Sequence, residues 1–321
     1  MRKIIKYVSV ILLLVIVVLG FNQVYVEANK KAKVYMIVKV NNANYDFWEL
    51  SRKGAETAVK ELNCEFIYTG ANDEKDSETQ VKKIREAIDN NASAIIVAAI
   101  NTEETNEIIE EAYLKGIKII TMDSDINSDI PRVFIGTDNF EAGKEMGTKM
   151  VELLNGEGEV AVVNFLAGAS TADYRYEGFK KEVEDSSNIK IIANEYCDAD
   201  VNNSYEITKN LLLSKPNLKG IYGTNQQSLE GIARAIKELE KQQEVAVVGF
   251  DSSLSIIKNI ENDVIKAVVV QKPFNMGYLS VKNAVKSKKG IRLNKYTEFE
   301  IVTKKNMYNE EIEKLLFPFV K

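Results

Sequence analysis

The chain has 321 residues, 45% of them hydrophobic, with 42 Lys and Arg against 47 Asp and Glu, a formal charge of −5, and no His. The acidic balance argues against a nucleic-acid partner, whose affinity comes largely from phosphate neutralisation by basic side chains. Lack of His removes the commonest general base, the Ser-His-Asp and Cys-His nucleophile systems and most zinc sites.

Arg2, Lys3 and Lys6 form a short positive region ahead of an apolar run from Tyr7 to Phe21, broken only by Ser9. That run is short for a membrane span of about 20 residues. It can be counted on to Val26 with Asn22 and Gln23 as the only further polar interruptions. Residues 1–28 thus read as a signal peptide with Val26-Glu27-Ala28 at the cleavage site, or as an uncleaved membrane anchor. No Cys lies near the end of the run, so a lipoprotein-type processing site is absent. These residues hold three basic side chains and one acidic one; without them the formal charge falls to −7.

From Lys33 onward, short β-branched runs alternate with segments of helical periodicity. The runs Val34–Val40, Glu65–Thr69, Ala94–Ala98, Ile117–Thr121 and Val133–Ile135 read as buried parallel strands, as do 159–165, 189–193, 220–223, 245–248 and 265–270. Helices are expected over 46–61, 80–90, 104–115, 141–154, 175–184, 204–213, 228–241 and 275–286, with a short one at 309–316. Strict alternation with short links implies parallel sheets covered by helices on both faces. The pattern restarts after Thr137 and no Pro/Gly/Ser-rich linker intervenes, so the expected class is α/β with two doubly wound lobes. Cys64 and Cys197 fall at apolar positions in different halves and read as separate buried thiols rather than a disulfide.

Ligands of open α/β sheets sit beyond the C-terminal ends of the strands, so the residues that follow each strand carry the chemistry. After the first strand come Lys39, Asn41, Asn42, Asn44 and Tyr45, then Phe47 and Trp48 at a helix start. Amides beside aromatics suit a polyhydroxylated ring, whose C–H faces pack on aromatic faces. One of the two aromatics should instead anchor the helix in the core, Phe47 rather than Trp48. Asp123, after the strand Ile117–Thr121, either accepts hydroxyl hydrogen bonds or caps a turn. Arg175, behind the small-residue loop 167–172, offers a fork of donors to vicinal oxygens or a surface ion pair to Asp173 or Glu177. Asn225, Asp251 and Gln271 follow three later strands. Each alone is ordinary turn chemistry; five polar strand ends together point to a binding cleft.

These residues, with Gly54-Ala55, Ile135-Gly136-Thr137-Asp138-Asn139, Gly178-Phe179, Val248-Gly249-Phe250-Asp251 and Gln271-x-Pro273, resemble the ribose/galactose/xylose-type periplasmic binding proteins across Lys33 to Val302. The resemblance implies a stacking pair, Phe47 and Trp48, and a hydroxyl-binding set of Asp123, Arg175, Asn225, Asp251 and Gln271. It places Tyr45 where ribose binders carry an amide, Ser124 where a basic residue is frequent, and Ala199 where they carry a second-lobe aromatic, so the ring should be less completely sandwiched. Lys39 then replaces a lost polar contact, and a pentose such as xylose or ribose is the expected ligand. Crossovers should fall near Thr137–Asn139, Val270–Lys272 and Thr297–Glu300. The lobes are then 33–138 with 272–297, and 139–271 with 298–321.

An enzyme is not expected, and neither is a cofactor. No G-x-G-x-x-G follows the first strand and no P-loop is present. A glycosidase would need a carboxylate pair, for which Asp123 and Asp251 are the only proposal. The expected setting is extracytoplasmic, with the N-terminal segment as the contact with the membrane. The missing lipidation Cys tips the expected membrane partner toward a sensor histidine kinase of a two-component system, with an ABC transporter permease as the alternative.

Overall fold

Lys33–Val38 (β1) shows how the chain builds its layers. Val34, Met36 and Val38 face one hydrophobic cluster while Tyr35 and Ile37 face another on the opposite side of the sheet. The structure, a computed structural model, describes residues 31–41 and 46–317. The segment read as a signal or anchor, and Tyr45, therefore lie outside the described residues, among which no helix is long and apolar enough to cross a membrane.

Strands β1, β2 (Glu65–Gly70), β3 (Ala94–Val97), β4 (Lys118–Met122) and β5 (Val133–Thr137) alternate with helices α1 (Asp46–Leu62), α2 (Ser77–Asp89) and α3 (Thr102–Leu114). A second run follows as α4 (Asn139–Leu154), β6 (Glu157–Asn164), α5 (Ser170–Ser186), β7 (Asn188–Tyr196) and α6 (Val201–Ser214). It continues as β8 (Leu218–Gly223), α7 (Gln226–Glu238), β9 (Ala246–Phe250), α8 (Leu254–Glu261) and β10 (Ala267–Gln271). The chain then adds α9 (Pro273–Lys286), β11 (Leu293–Thr297), β12 (Phe299–Val302) and α10 (Glu310–Leu316).

The strands form two sheets with the orders β11-β5-β4-β3-β1-β2 and β12-β10-β9-β8-β6-β7. Apart from the terminal strands β11 and β12, the second order is the first shifted by five. Only β12 runs antiparallel, against β10. The chain passes between the lobes at three places. After β5 it continues into α4, which packs on the second sheet; after β10 into α9, which packs on α1 and the first sheet; and after β11 directly into β12.

Helices α2 to α7 and α9 begin two to five residues before the starts read from the sequence, whereas α1 begins at the expected Asp46 and α10 one residue late. Capping chemistry explains most of this: Asp76, Asn101, Asp138, Asp200 and Asn225 each accept from a backbone N–H of the first turn. Strands β11 and β12 were not among the strands read from sequence. They are edge strands interrupted by polar residues, the exposed Asn294 in β11 and the half-buried Glu300 in β12, so they lack a continuous apolar run. Helix α8 was also missed; at eight residues it is too short for a clear period.

Helices α4 and α5 approach closely through glycine. A Cβ on Gly143 would lie 2.2 Å from the Arg175 carbonyl oxygen, and one on Gly178 would lie 2.0 Å from that of Phe140. This contact fixes the backbone of Arg175. Both thiols are free; Cys197 is fully buried, which pushes it up to about 11, whereas Cys64 is only half-buried.

Candidate functional site

The C-terminal ends of both sheets converge on one small cavity lined from both lobes, where open α/β sheets bind their ligands. Eight of the nine residues singled out in the sequence line it: Lys39, Phe47, Trp48 and Asp123 from the first lobe, Arg175, Asn225, Asp251 and Gln271 from the second.

Asp123 and Asp251 occupy matching places. Each follows its lobe's equivalent strand, β4 or β9, in the left-handed backbone region, with φ of 63° and 72°. The amide of Asp123 donates to the Ile135 carbonyl and that of Asp251 to the Val269 carbonyl, on the adjacent strand in each case. Non-glycine residues held there cluster at functional sites, and Asp tolerates the region better than most. The turn-cap reading of Asp123 therefore gives way to a carboxylate at the cavity.

Asp123 forms a buried ion pair with Lys39, Nζ to Oδ2 at 3.1 Å, and accepts from Ser124 Oγ at 3.0 Å. Asp251 accepts from Gln271 Nε2 at 2.7 Å and from the Gln226 amide at 3.1 Å. Gln271 in turn accepts from Thr137 Oγ1 at 2.7 Å, across the first and second crossovers.

Arg175 is 3% exposed, so the surface ion-pair reading does not hold. Its Nε donates to Asn139 Oδ1 at 2.8 Å and its Nη1 to the Thr224 carbonyl at 2.7 Å, while the guanidinium lies 4.0 Å from the centroid of the Phe250 ring. Those bonds leave both Nη2 hydrogens and one on Nη1 as remaining donors. Asn225 caps α7 through Oδ1 and donates from Nδ2 to Gln227 Oε1, so one Nδ2 hydrogen is left for a ligand.

The aromatic pair is reversed relative to expectation. Trp48, 4% exposed, is the more deeply seated, and Phe47 is half-buried at the cavity edge. Their rings meet edge to face at 4.9 Å. Trp48 wins the inner place because it lies one position further along α1, on the stripe shared with Ser51 and Ala55.

The sequence matches the family model described as "Periplasmic binding protein domain" over residues 34–291. The chain belongs to the periplasmic binding protein family. It is 28% identical to the D-allose-binding periplasmic protein of Escherichia coli K12 over 282 residues, 84% of this chain and 90% of the relative. A solved sugar transporter from Clostridium phytofermentans is 34% identical with a TM-score of 0.78, covering 85% of this chain and 99% of that one. A chain of the XylFII–LytSN complex is 28% identical with a TM-score of 0.78, covering 86% and 98%. The resemblance and the α/β class read from the sequence agree with these matches. So does the expectation of a binding protein rather than an enzyme, since the named relatives bind or transport.

The binding-protein cavity also contains residues that the strand-end reading missed. Phe165, at the end of β6, lines it from the second lobe and lies 5.9 Å from Lys39 Nζ. It supplies an aromatic where Ala199 had suggested that none would be found. Thr171 lines the cavity too, and its buried Oγ1 has no hydrogen-bond partner among the described residues. Glu74 enters from the loop between β2 and α2. Phe165 was read only as part of a strand, and nothing local marks Glu74, which sits in an ordinary polar turn. Burial, opposed by Arg175 and the Gln271 hydrogen bond, raises the pKa of Asp251; burial also raises that of Glu74, opposed by Lys39.

Proposed function

We propose that this chain is an extracytoplasmic receptor for one monosaccharide, which closes the lobes 33–138 with 272–297 and 139–271 with 298–321 on the ring without chemical turnover. The observation that carries this reading is the matched pair Asp123 and Asp251 at one cavity, flanked by an aromatic pair and by Lys39, Arg175, Asn225 and Gln271. Carboxylates accept from ring hydroxyls, Lys39, Arg175 and Asn225 donate to them, and Phe47, Trp48 and Phe165 meet the C–H faces. Because the groups are divided between lobes, a ligand touching all of them stabilises the closed form selectively.

A pentose such as xylose or ribose is the first candidate, and allose, named for the Escherichia coli relative, is the next. A thermal-shift panel of pentoses and hexoses tests the reading. At 100 times Kd a ligand specific to the native state adds about 2.7 kcal/mol, and no shift with any sugar would sink it.

The favoured partner is a membrane sensor histidine kinase, a reading supported by a relative that stands in the XylFII–LytSN complex. The relative named a sugar transporter favours the other reading, delivery to an ABC permease. Co-purification of the full chain from membranes decides between them: permease subunits without a kinase would overturn the sensor. A secreted product beginning near Asn29 would overturn the tether through residues 1–28.

A further inference from the structure

The three carboxylates of the cavity are not equally provided for. Asp123 has Lys39 and Ser124; Asp251 has Gln271 and the Gln226 amide. Glu74 lines the same cavity and makes no hydrogen bond or ion pair among the described residues. Its charged surroundings are Lys39 at the end of β1 and Arg175 on α5, which attract it, and Asp123 and Asp251 at the ends of β4 and β9, which repel it. Glu74 is half-buried at the cavity wall, and partial desolvation of a carboxylate that lacks a donor holds its pKa up.

Building on the sugar-receptor reading, we propose that Glu74 is a specificity-determining residue that accepts a hydrogen bond from one ring hydroxyl and restricts the ligand to uncharged sugars. The restriction follows from the formal charges. Glu74, Asp123 and Asp251 outnumber Lys39 and Arg175 by one, so a uronate or sugar phosphate would bring further negative charge into a cavity already in excess. An ammonium on the ring is disfavoured because the place beside Glu74 is shared with Lys39, already paired to Asp123. A hydroxyl provides the donor that Glu74 lacks and adds no charge. The loop carrying Glu74 belongs to the first lobe but contributes none of the stacking surface, so it selects among sugars that stack equally well.

The test is calorimetric titration of the receptor with the neutral sugar found in the panel, its single-deoxy analogues, its uronate and its amino analogue. Glu74→Ala and the isosteric Glu74→Gln are each expected to weaken the parent sugar about 10-fold or more, as for a hydrogen bond to a charged group. One deoxy analogue should bind wild type and Glu74→Ala alike, locating the hydroxyl by a double-mutant cycle, and the uronate should bind wild type far more weakly than the parent. The melting temperature of unliganded Glu74→Gln should equal or exceed wild type, whereas a purely structural role would lower it. Binding of the parent sugar within about twofold by both variants would overturn the inference, as would a uronate or amino analogue binding wild type more tightly than the parent. Either result leaves the sugar receptor standing. Failure of wild type to bind any sugar would instead defeat the receptor reading, and this inference with it.

Discussion

Asp123→Asn removes the negative half of the Lys39 pair while changing little else. Asn tolerates the left-handed backbone at φ 63° and keeps one acceptor for the Ser124 hydroxyl. At the observed 3.1 Å and an effective dielectric of about 20, the lost attraction is about 5 kcal/mol before desolvation is offset. Removing one member of a buried pair costs about 3–5 kcal/mol, because the partner charge stays buried. Glu74 also faces Lys39, so the expected loss is at the lower end, about 3 kcal/mol, or about 6 °C in melting temperature. Urea denaturation of unliganded protein measures it, with Trp48, the single Trp, as a fluorescence probe inside the cavity. Lys39→Met in the same chain should restore most of the loss, since the buried cation is then gone. Stability of Asp123→Asn within about 0.5 kcal/mol of wild type, or a double variant no better than the single, would refute the reasoning.

Gly178→Ala places a Cβ 2.0 Å from the Phe140 carbonyl oxygen, so α4 and α5 must part; a loss of about 1–3 kcal/mol should come with weaker sugar binding as Arg175 shifts, both readable by ligand titration of thermal melts. Thr137→Val leaves the buried Gln271 Oε1 without its donor and should cost about 1–3 kcal/mol in unliganded stability, measured by urea denaturation. The carboxyls of Asp251 and Glu74 have folded pKa values above their unfolded ones, so their stabilising contribution is complete below the unfolded values, about 4, and is lost as pH rises through the folded values. Unliganded wild type should therefore lose more melting temperature than Asp251→Asn with Glu74→Gln as pH rises from about 4 to 8; parallel profiles would contradict the assignment.

Much of this was legible because parallel strands buried on both faces announce themselves as β-branched runs, and because the cavity lies at strand ends, where single residues such as Asp251 stand out against apolar neighbours. Helix starts were displaced because periodicity reports the buried stripe, while Asp138 and Asn225 cap three residues ahead of the starts read at 141 and 228. The inner placement of Trp48 over Phe47 depends on the rotation of α1 against the sheet, and adjacent positions give no measure of that. Glu74 was invisible for a different reason. Its loop follows an outer strand, and only the pairing of β2 with β1 brings an ordinary polar turn beside Lys39.

The three passages of the chain between lobes have a mechanical consequence. A single tether would let one half swivel, tilt and roll; three connections, at residues 137–139, 271–273 and 297–299, work like a door hung on three pins and leave mainly one swing. Thr137 and Gln271 sit at two of those pins and touch each other through the bond that also steadies Asp251. A partner reading the closure would therefore have one angle to read, and the cavity, lined by Gln271 at one of the pins, lies beside that axis.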